Sequence, residues 1–326
     1  MNRMHTIASR LQRSELAVPA TRERFLHKAA ESEADALFLD LEDAVSPGQK
    51  DEARARAIEA LNGLDWGRKT VAVRVNGLDT RWALHDIVDI ARLAPRLDLI
   101  LLPKAGSADD VRFVDQALTL IEREQGRSKR TGIEVLIETA RGVANVEAIA
   151  QASPRLEAMI FGVGDYSVDM RTFDRVFGQP NPDYAVTPRG QASASQPHWN
   201  DQWHFAMARI ANACRANGLR PVDGPFTDFG DPAGYRASAL RARALGFEGK
   251  WAIHPTQIGT ANEVFSPSPE ELEWAARIGQ LLEKAMREGQ GAVGDQGVLI
   301  DMAHQKIANA IAERQALIER MRGPGG

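Results

Sequence analysis

The sequence has only one cysteine, Cys214, in 326 residues. No disulfide can therefore close within the chain, which suits a reducing compartment. Cys214 sits in the helix-patterned run HFAMARIANACRANG with no base beside it, and it reads as a packing residue. Long apolar runs are also missing. None approaches the roughly 20 residues that cross a bilayer, so no membrane association is expected and a cytoplasmic protein is. Blocks of one charge sign are absent: 40 Lys and Arg stand against 44 Asp and Glu, for a net charge of -4. That argues against a nucleic-acid-binding surface, although local basic positions could still meet a phosphorylated small molecule. No Gly-rich dinucleotide or phosphate loop follows the first strand-like run. Clustered histidines or cysteines of the kind that hold zinc are lacking too.

What is present is an ordinary globular composition, 44% hydrophobic and 26% charged. Short β-branched or leucine-rich runs recur at Glu15–Pro19, Ala36–Asp43, Thr70–Asn76, Leu97–Lys104, Ile133–Thr139, Ala158–Asp165, Arg220–Phe226 and Lys250–Pro255. Between them lie segments such as ERFLHKAAESEA and DDVRFVDQALTLIEREQ, with apolar spacing near 3.6. Eight strands alternating with helices over about 250 residues predict an α/β fold, a (β/α)8 TIM barrel, with a doubly wound sheet as the fallback. The start, MNRMHTIASRLQRS, lacks the apolar stretch of a secretory signal and is expected to form a short helix closing the barrel floor. A Pro-, Gly-, Gln- and Ser-rich segment from Ser167 to about Asn200 is longer than ordinary connections. From Ser266 onward the chain has no part in the barrel. Residues 1–265 are expected to form the barrel and 266–326 a helical C-terminal extension that packs on this subunit or on a neighbour.

Active groups of such barrels lie at the C-terminal ends of strands. Strand alternation says which side chains can meet there. Leu37, Leu39 and Leu41 share one face of their strand, so Asp40 and Glu42 point inward. The same parity turns Arg74 and Asn76 inward, places Glu138 inward at the top of the fifth strand, and leaves Asp165 ending the sixth. Carboxylates crowded in a partly dry pocket repel unless protonated, paired or bridged by a cation. Hard oxygen ligands favour Mg2+, with most coordination positions left to water and substrate. An arginine alongside provides a fork for a substrate carboxylate. Metal and arginine together read as a site for a small 2-oxo or 2-hydroxy acid, the cation stabilising charge on oxygen as a C–C bond breaks or forms. The competing reading is that the carboxylates pair with arginines to hold the barrel together. It needs a cation for each, and one inward arginine is too few. Asp223 in VDGPF faces the barrel by polarity and, with Glu42, is expected to support the site from behind.

The runs DLEDAVSPGQK, VRVNG, LLPKAGS, IETARG and FGVGDY resemble the citrate lyase beta-subunit-like HpcH/HpaI aldolase superfamily. The later runs, HWNDQWHFAMARIANACRANGLRPVDGPFTDFGD and GFEGKWAIHPTQIGTANEVFSPS, are most similar to the malyl-CoA/β-methylmalyl-CoA lyases. The resemblance implies reversible cleavage of (S)-malyl-CoA or β-methylmalyl-CoA to glyoxylate and acetyl-CoA or propionyl-CoA. It also implies a (β/α)8 barrel, Mg2+ dependence with Mn2+ as a substitute, and CoA as part of the substrate. It implies a homo-oligomer, trimer or hexamer, with the C-terminal extension as a lid exchanged between neighbours. By the same resemblance Glu138 and Asp165 bind the metal, and Arg74 holds the glyoxylate carboxylate assisted by the backbone amides of Gly164 and Asp165. Arg22, Lys28, Ile253 and His254 match CoA contacts. Asp301 in GVLIDMAHQK matches the acid/base at the acyl α-carbon. Rival readings on the same scaffold are a malyl-CoA thioesterase and a citramalyl-CoA or citrate lyase beta-subunit-like lyase. A pyruvate aldolase without CoA would need a histidine where the chain reads DLED, and a non-catalytic acyl-CoA-binding subunit would not need the full set of acidic residues.

Overall fold

In the computed structural model the chain divides into two compact units, Met1–Asn262 and Glu263–Gly326. The structure describes residues 10–181, 184–186, 198–199 and 201–322. The first unit holds eight parallel strands: β1 (Ser14–Pro19), β2 (Ala36–Asp40), β3 (Thr70–Arg74), β4 (Leu99–Leu102), β5 (Gly132–Ile137), β6 (Leu156–Phe161), β7 (Arg220–Asp223) and β8 (Gly249–Ala252). They close into a barrel in sequence order, β8 returning to pair with β1, as the alternating pattern requires.

Side-chain alternation fills the barrel in layers. The middle layer is apolar: Phe38, Ala72, Leu101, Leu136, Ile160, Val222 and Trp251 belong to one buried cluster, with Ala17 packed on it. Below it lies a polar floor, where the Gln12 amide donates to Glu15 at 3.1 Å and to Glu134 at 2.9 Å, and the Arg220 Nε donates to Gln12 at 3.0 Å. The expected first helix falls mostly on residues 1–9, outside the described residues. Residues 10–13 are not helical. They fasten to the barrel instead through Arg10 on Glu157 at 2.8 Å and Arg13 on Asp35 at 2.8 Å.

Two expected orientations are corrected. Val222 and Trp251 face the interior, so their neighbours Asp223 and Lys250 face outward. There the Lys250 Nζ donates to the Asp223 carboxylate at 2.5 Å and lies over the Tyr235 ring. Asp223 therefore neutralises a buried lysine between sheet and helix and does not back the barrel mouth. Asn76, expected inward, donates from its side chain to Asp86 of the helix Ala83–Leu93 at 2.6 Å. Much of the long segment after Ser167 lies outside the described residues; within it, Ala185–Val186 pairs antiparallel with His198–Trp199. Cys214 is buried, as its pattern indicated, and burial pushes its thiol pKa up.

The second unit contains the helix Pro269–Arg287, a hairpin of β9 (Val293–Asp295) and β10 (Val298–Ile300), and the helix Met302–Arg322. Ser268 and Glu271 form a capping box at the start of the first helix. Ile278, Leu282, Ile300 and Ala308 form its core. No helix among the described residues is long and apolar enough to cross a membrane.

Candidate active site

The mouth of the barrel gathers charge from successive strands. Asp40 and Arg74 end β2 and β3 in register with each other. The guanidinium grips Asp40 through two bonds, Nε at 2.7 Å and Nη2 at 2.6 Å. Asp40 also accepts the backbone N–H groups of Glu42 and Ala44 at 2.8 and 3.2 Å, which folds the chain back after β2. Burial works to raise the Asp40 pKa, yet the arginine and these amides hold it below the ordinary value. The remaining edge of Arg74, Nη1, lies 3.2 Å from Glu42 and 3.5 Å from Asp43.

Lys104 is the residue the sequence reading passed over. It follows β4 with φ of 53°, a left-handed backbone that non-glycine residues seldom adopt. That turn lets one residue serve three carboxylates. Its backbone N–H donates to Glu138 Oε1 at 2.8 Å. Its ammonium lies 2.5 Å from Glu42 and 3.1 Å from Asp165. Burial opposes the charge on Lys104, but these acidic neighbours raise its pKa overall. The cluster thus holds a second cation besides Arg74, which the count of inward arginines left out. The basic end of LLPKAGS, at the C-terminal end of a strand, was the available signal.

Glu138 follows β5 and is buried. Burial first, and then the charges of Glu42 and Asp165, push its pKa up to about 8. Asp165 does not end the sixth strand as expected. Strand β6 stops at Phe161, and Asp165 lies in the first turn of the helix Val163–Asp169, as does Gly164. Gly162 makes that sharp entry, because a Cβ there would stand 2.4 Å from Glu138 Oε2 and 2.5 Å from Glu138 Cβ.

These residues fit a divalent cation. Three carboxyl groups, those of Glu42, Glu138 and Asp165, share one mouth with two cations, and Glu42 Oε2 and Asp165 Oδ2 meet Arg74 Nη1 and Lys104 Nζ only as ion pairs at 3.2 and 3.1 Å. The bare backbone at Gly162 leaves room beside Glu138. Among the described residues no group of three or more His, Cys, Asp or Glu side chains is arranged to hold a metal unaided. A cation bound by Glu138 and Asp165 would thus keep most positions for water and substrate oxygens.

Arg22, Lys28, Ile253 and His254 stand outside the hydrogen bonds and ion pairs of this cluster. Arg22 is exposed just before the helix Glu23–Ala30, its guanidinium 5.4 Å from the Phe25 ring centroid. Lys28 is exposed in the last turn of that helix. Ile253 and His254 follow β8 and are half-buried; the imidazole accepts from the Thr256 amide and stacks on Phe229 at 5.0 Å. Because β1 and β8 are neighbours, Arg22 and His254 leave the barrel at the same end of adjacent strands. Asp301 belongs to the second unit. Its carboxylate accepts the Ala303 amide at 2.9 Å and lies 2.9 Å from His304 Nδ1. The bond to His304 leads the interactions that lower its pKa.

The HpcH/HpaI aldolase/citrate lyase family matches residues 13–255. The chain belongs to this family. It is 46% identical over 311 residues, 95% of its length, to the L-malyl-CoA/β-methylmalyl-CoA lyase of Cereibacter sphaeroides, of which 96% is covered. It is 37% identical to the malyl-CoA/β-methylmalyl-CoA/citramalyl-CoA lyase of Chloroflexus aurantiacus, over 88% of this chain and 82% of that one. Among solved structures it is similar to the CitE protein of Mycobacterium tuberculosis in complex with magnesium, acetoacetate and coenzyme A. That likeness has a TM-score of 0.72 and 28% identity over 94% of this chain and 98% of that one. Membership of this family agrees with the barrel and with acidic groups gathered at its mouth.

Proposed function

We propose that the protein cleaves (S)-malyl-CoA, β-methylmalyl-CoA or both, reversibly, to glyoxylate and acetyl-CoA or propionyl-CoA, with Mg2+ as its cation and Mn2+ able to replace it. The observation that carries this reading is the cluster of Glu42, Glu138 and Asp165 at the mouth beside Arg74, in a chain 46% identical to an L-malyl-CoA/β-methylmalyl-CoA lyase.

Glu138 and Asp165 would hold the cation, which when bound supplies Lewis-acid stabilisation of negative charge on the oxygen of the 2-oxo acid. Lys104 keeps Glu42 and Asp165 from repelling each other. Arg74 is fixed by Asp40 along one edge, so it meets the glyoxylate carboxylate with its remaining N–H groups. The amides of Gly164 and Asp165 face the same carboxylate from the first turn of their helix. This orients the acid so that the C2–C3 bond is presented to the acyl group. In cleavage the hydroxyl proton leaves to solvent and the C2–C3 electron pair moves onto the acyl α-carbon. A proton taken from solvent then reaches that carbon by way of the Asp301 carboxylate, delivered from the extension of a neighbouring copy in a trimer or hexamer. In condensation the Asp301 carboxylate removes the α-proton. Its lowered pKa, set first by His304, keeps it ionised for that step. The thioester stabilises the carbanion, so no Schiff-base lysine is needed. Arg22, Lys28, Ile253 and His254 line the path of CoA.

The test is a condensation screen. Glyoxylate and pyruvate are each offered with acetyl-CoA and propionyl-CoA, with and without Mg2+. Mg2+-dependent product from glyoxylate is the expected result. Activity unchanged by chelator, or condensation with neither acid, would refute the proposal.

A further inference from the structure

Arg74 is held by more than carboxylates. Phe38 precedes Asp40 by two residues on β2, one interior layer beneath the Asp40–Arg74 pair. Its ring and that of Trp251 on β8 lie with centroids 4.5 Å apart at 39°. The guanidinium carbon lies 5.5 Å from the Phe38 centroid and 5.7 Å from that of Trp251. Both rings belong to the buried barrel core, so the cation meets desolvated π-faces. Trp251 is fastened in turn. It is in register with Glu15 of β1, and its indole Nε1 donates to Glu15 Oε2 at 2.8 Å. Glu15 is buried in the polar floor, where Gln12 ties it to Glu134 on the opposite side of the barrel.

We infer that Trp251, together with Phe38, is a positioning residue for Arg74, and that Glu15 locks it from the barrel floor. The Asp40 pairing fixes one edge of the guanidinium and Glu42 and Asp43 meet its Nη1, but none of these carboxylates lies in the interior layer beneath it. The Phe38 and Trp251 rings, 5.5 and 5.7 Å from the guanidinium carbon, support it from that layer, and the indole N–H bond to Glu15 fixes how far the Trp251 ring stands from the mouth. The shelf therefore sets the depth at which the arginine meets the carboxylate of a 2-oxo acid, without touching substrate. This inference rests on the proposed role of Arg74 as the carboxylate clamp.

Two measurements separate the inference from that role. The first is steady-state condensation kinetics of Trp251→Leu and Trp251→Phe with each substrate varied. Loss of one cation–π face in a dry site should raise KM for the 2-oxo acid roughly 10-fold in Trp251→Leu, against about 2-fold in Trp251→Phe, with KM for acyl-CoA within about 2-fold. Phe38→Leu provides the same comparison if Trp251→Leu does not fold. A wild-type KM for the 2-oxo acid in the leucine variants, or an equal rise for both substrates, overturns the inference. The second measurement is the side-chain Nε–H resonance of Arg74, from 15N-arginine protein with assignment by Arg74→Lys. Ring currents should shift it upfield in the wild type, and it should move downfield in Trp251→Leu while Trp251→Phe restores most of the shift. An unmoved resonance overturns the inference even if the wild type condenses nothing. In that second case the proposed function fails while the resonance alone decides the shelf.

Discussion

A carboxyl group that is buried and faced by two other carboxylates keeps its proton to higher pH, and Glu138 is such a group, raised from 4.5 to about 8. A divalent cation binds the ionised form. Metal affinity should therefore climb about tenfold per pH unit below pH 8 and level off above it. Titration calorimetry or Mn2+ resonance spectroscopy from pH 6 to 9 reads this directly, and Glu138→Gln should weaken binding and flatten the profile. The folded pKa is raised, so the proton's contribution to metal-free stability is complete below pH 4.5 and is lost as pH rises toward 8. Thermal melts without metal should fall over that window, by less in Glu138→Gln. At the neighbouring position, Arg74→Lys cannot reproduce the two-bonded grip on Asp40 and leaves that buried carboxylate under-paired. A loss of about 3 kcal/mol, or ~100-fold in kcat/KM, is expected from steady-state assays. Glu42, Arg74 and Glu138 were legible from the sequence as mouth residues, because polar residues at strand ends interrupt an apolar alternation, whereas Asp165 was read as a strand end and lies in the helix Val163–Asp169. Lys104 was not legible, since its role depends on a left-handed backbone that no spacing rule announces.

Elements set where these groups meet. The turn from β6 into the helix Val163–Asp169 brings Asp165 beside Glu138, and it works because Gly162 has no Cβ. Gly162→Ala should push Glu138 aside, costing roughly 1–3 kcal/mol of stability as an overpacked site and weakening metal binding further. Melting curves with and without Mg2+ would show a smaller metal-induced gain than in the wild type. The eight strands were readable because each is a short apolar run between helix-patterned segments. Their facing was readable where large residues alternate, as in ALFLD. In RPVD and GKWA the pattern misleads, because polarity suggested that Asp223 faced inward. The buried Lys250 supplies its partner on the outer face, and only the interior placement of Val222 and Trp251 reveals it. In the second unit, Asp301 begins the helix Met302–Arg322, and its cap bonds alone would suit a structural aspartate. Asp301→Asn keeps an acceptor for those bonds but removes the base. It should nearly abolish deuterium exchange at the acetyl-CoA methyl group and spare metal affinity. Full exchange in that variant would remove Asp301 from the acid/base role.

At the scale of the whole molecule, closing eight parallel strands into a ring turns residues scattered from Asp40 to Asp165 into one acidic mouth. If the acid/base comes from a neighbouring copy, two inactive variants should help each other. Glu138→Gln has an intact Asp301 and Asp301→Asn an intact barrel mouth. Mixed oligomers, formed by co-expression with separate tags, should regain part of the wild-type activity, and mixing already assembled homo-oligomers should regain less. The central claim, cation-dependent cleavage of a carbon–carbon bond, is tested most directly by product analysis of (S)-malyl-CoA incubated with the protein with Mg2+ and with chelator. Glyoxylate and acetyl-CoA in equal amounts, formed only with Mg2+, are the expected products. Free malate and CoA would show water attacking the thioester instead, and would contradict the account.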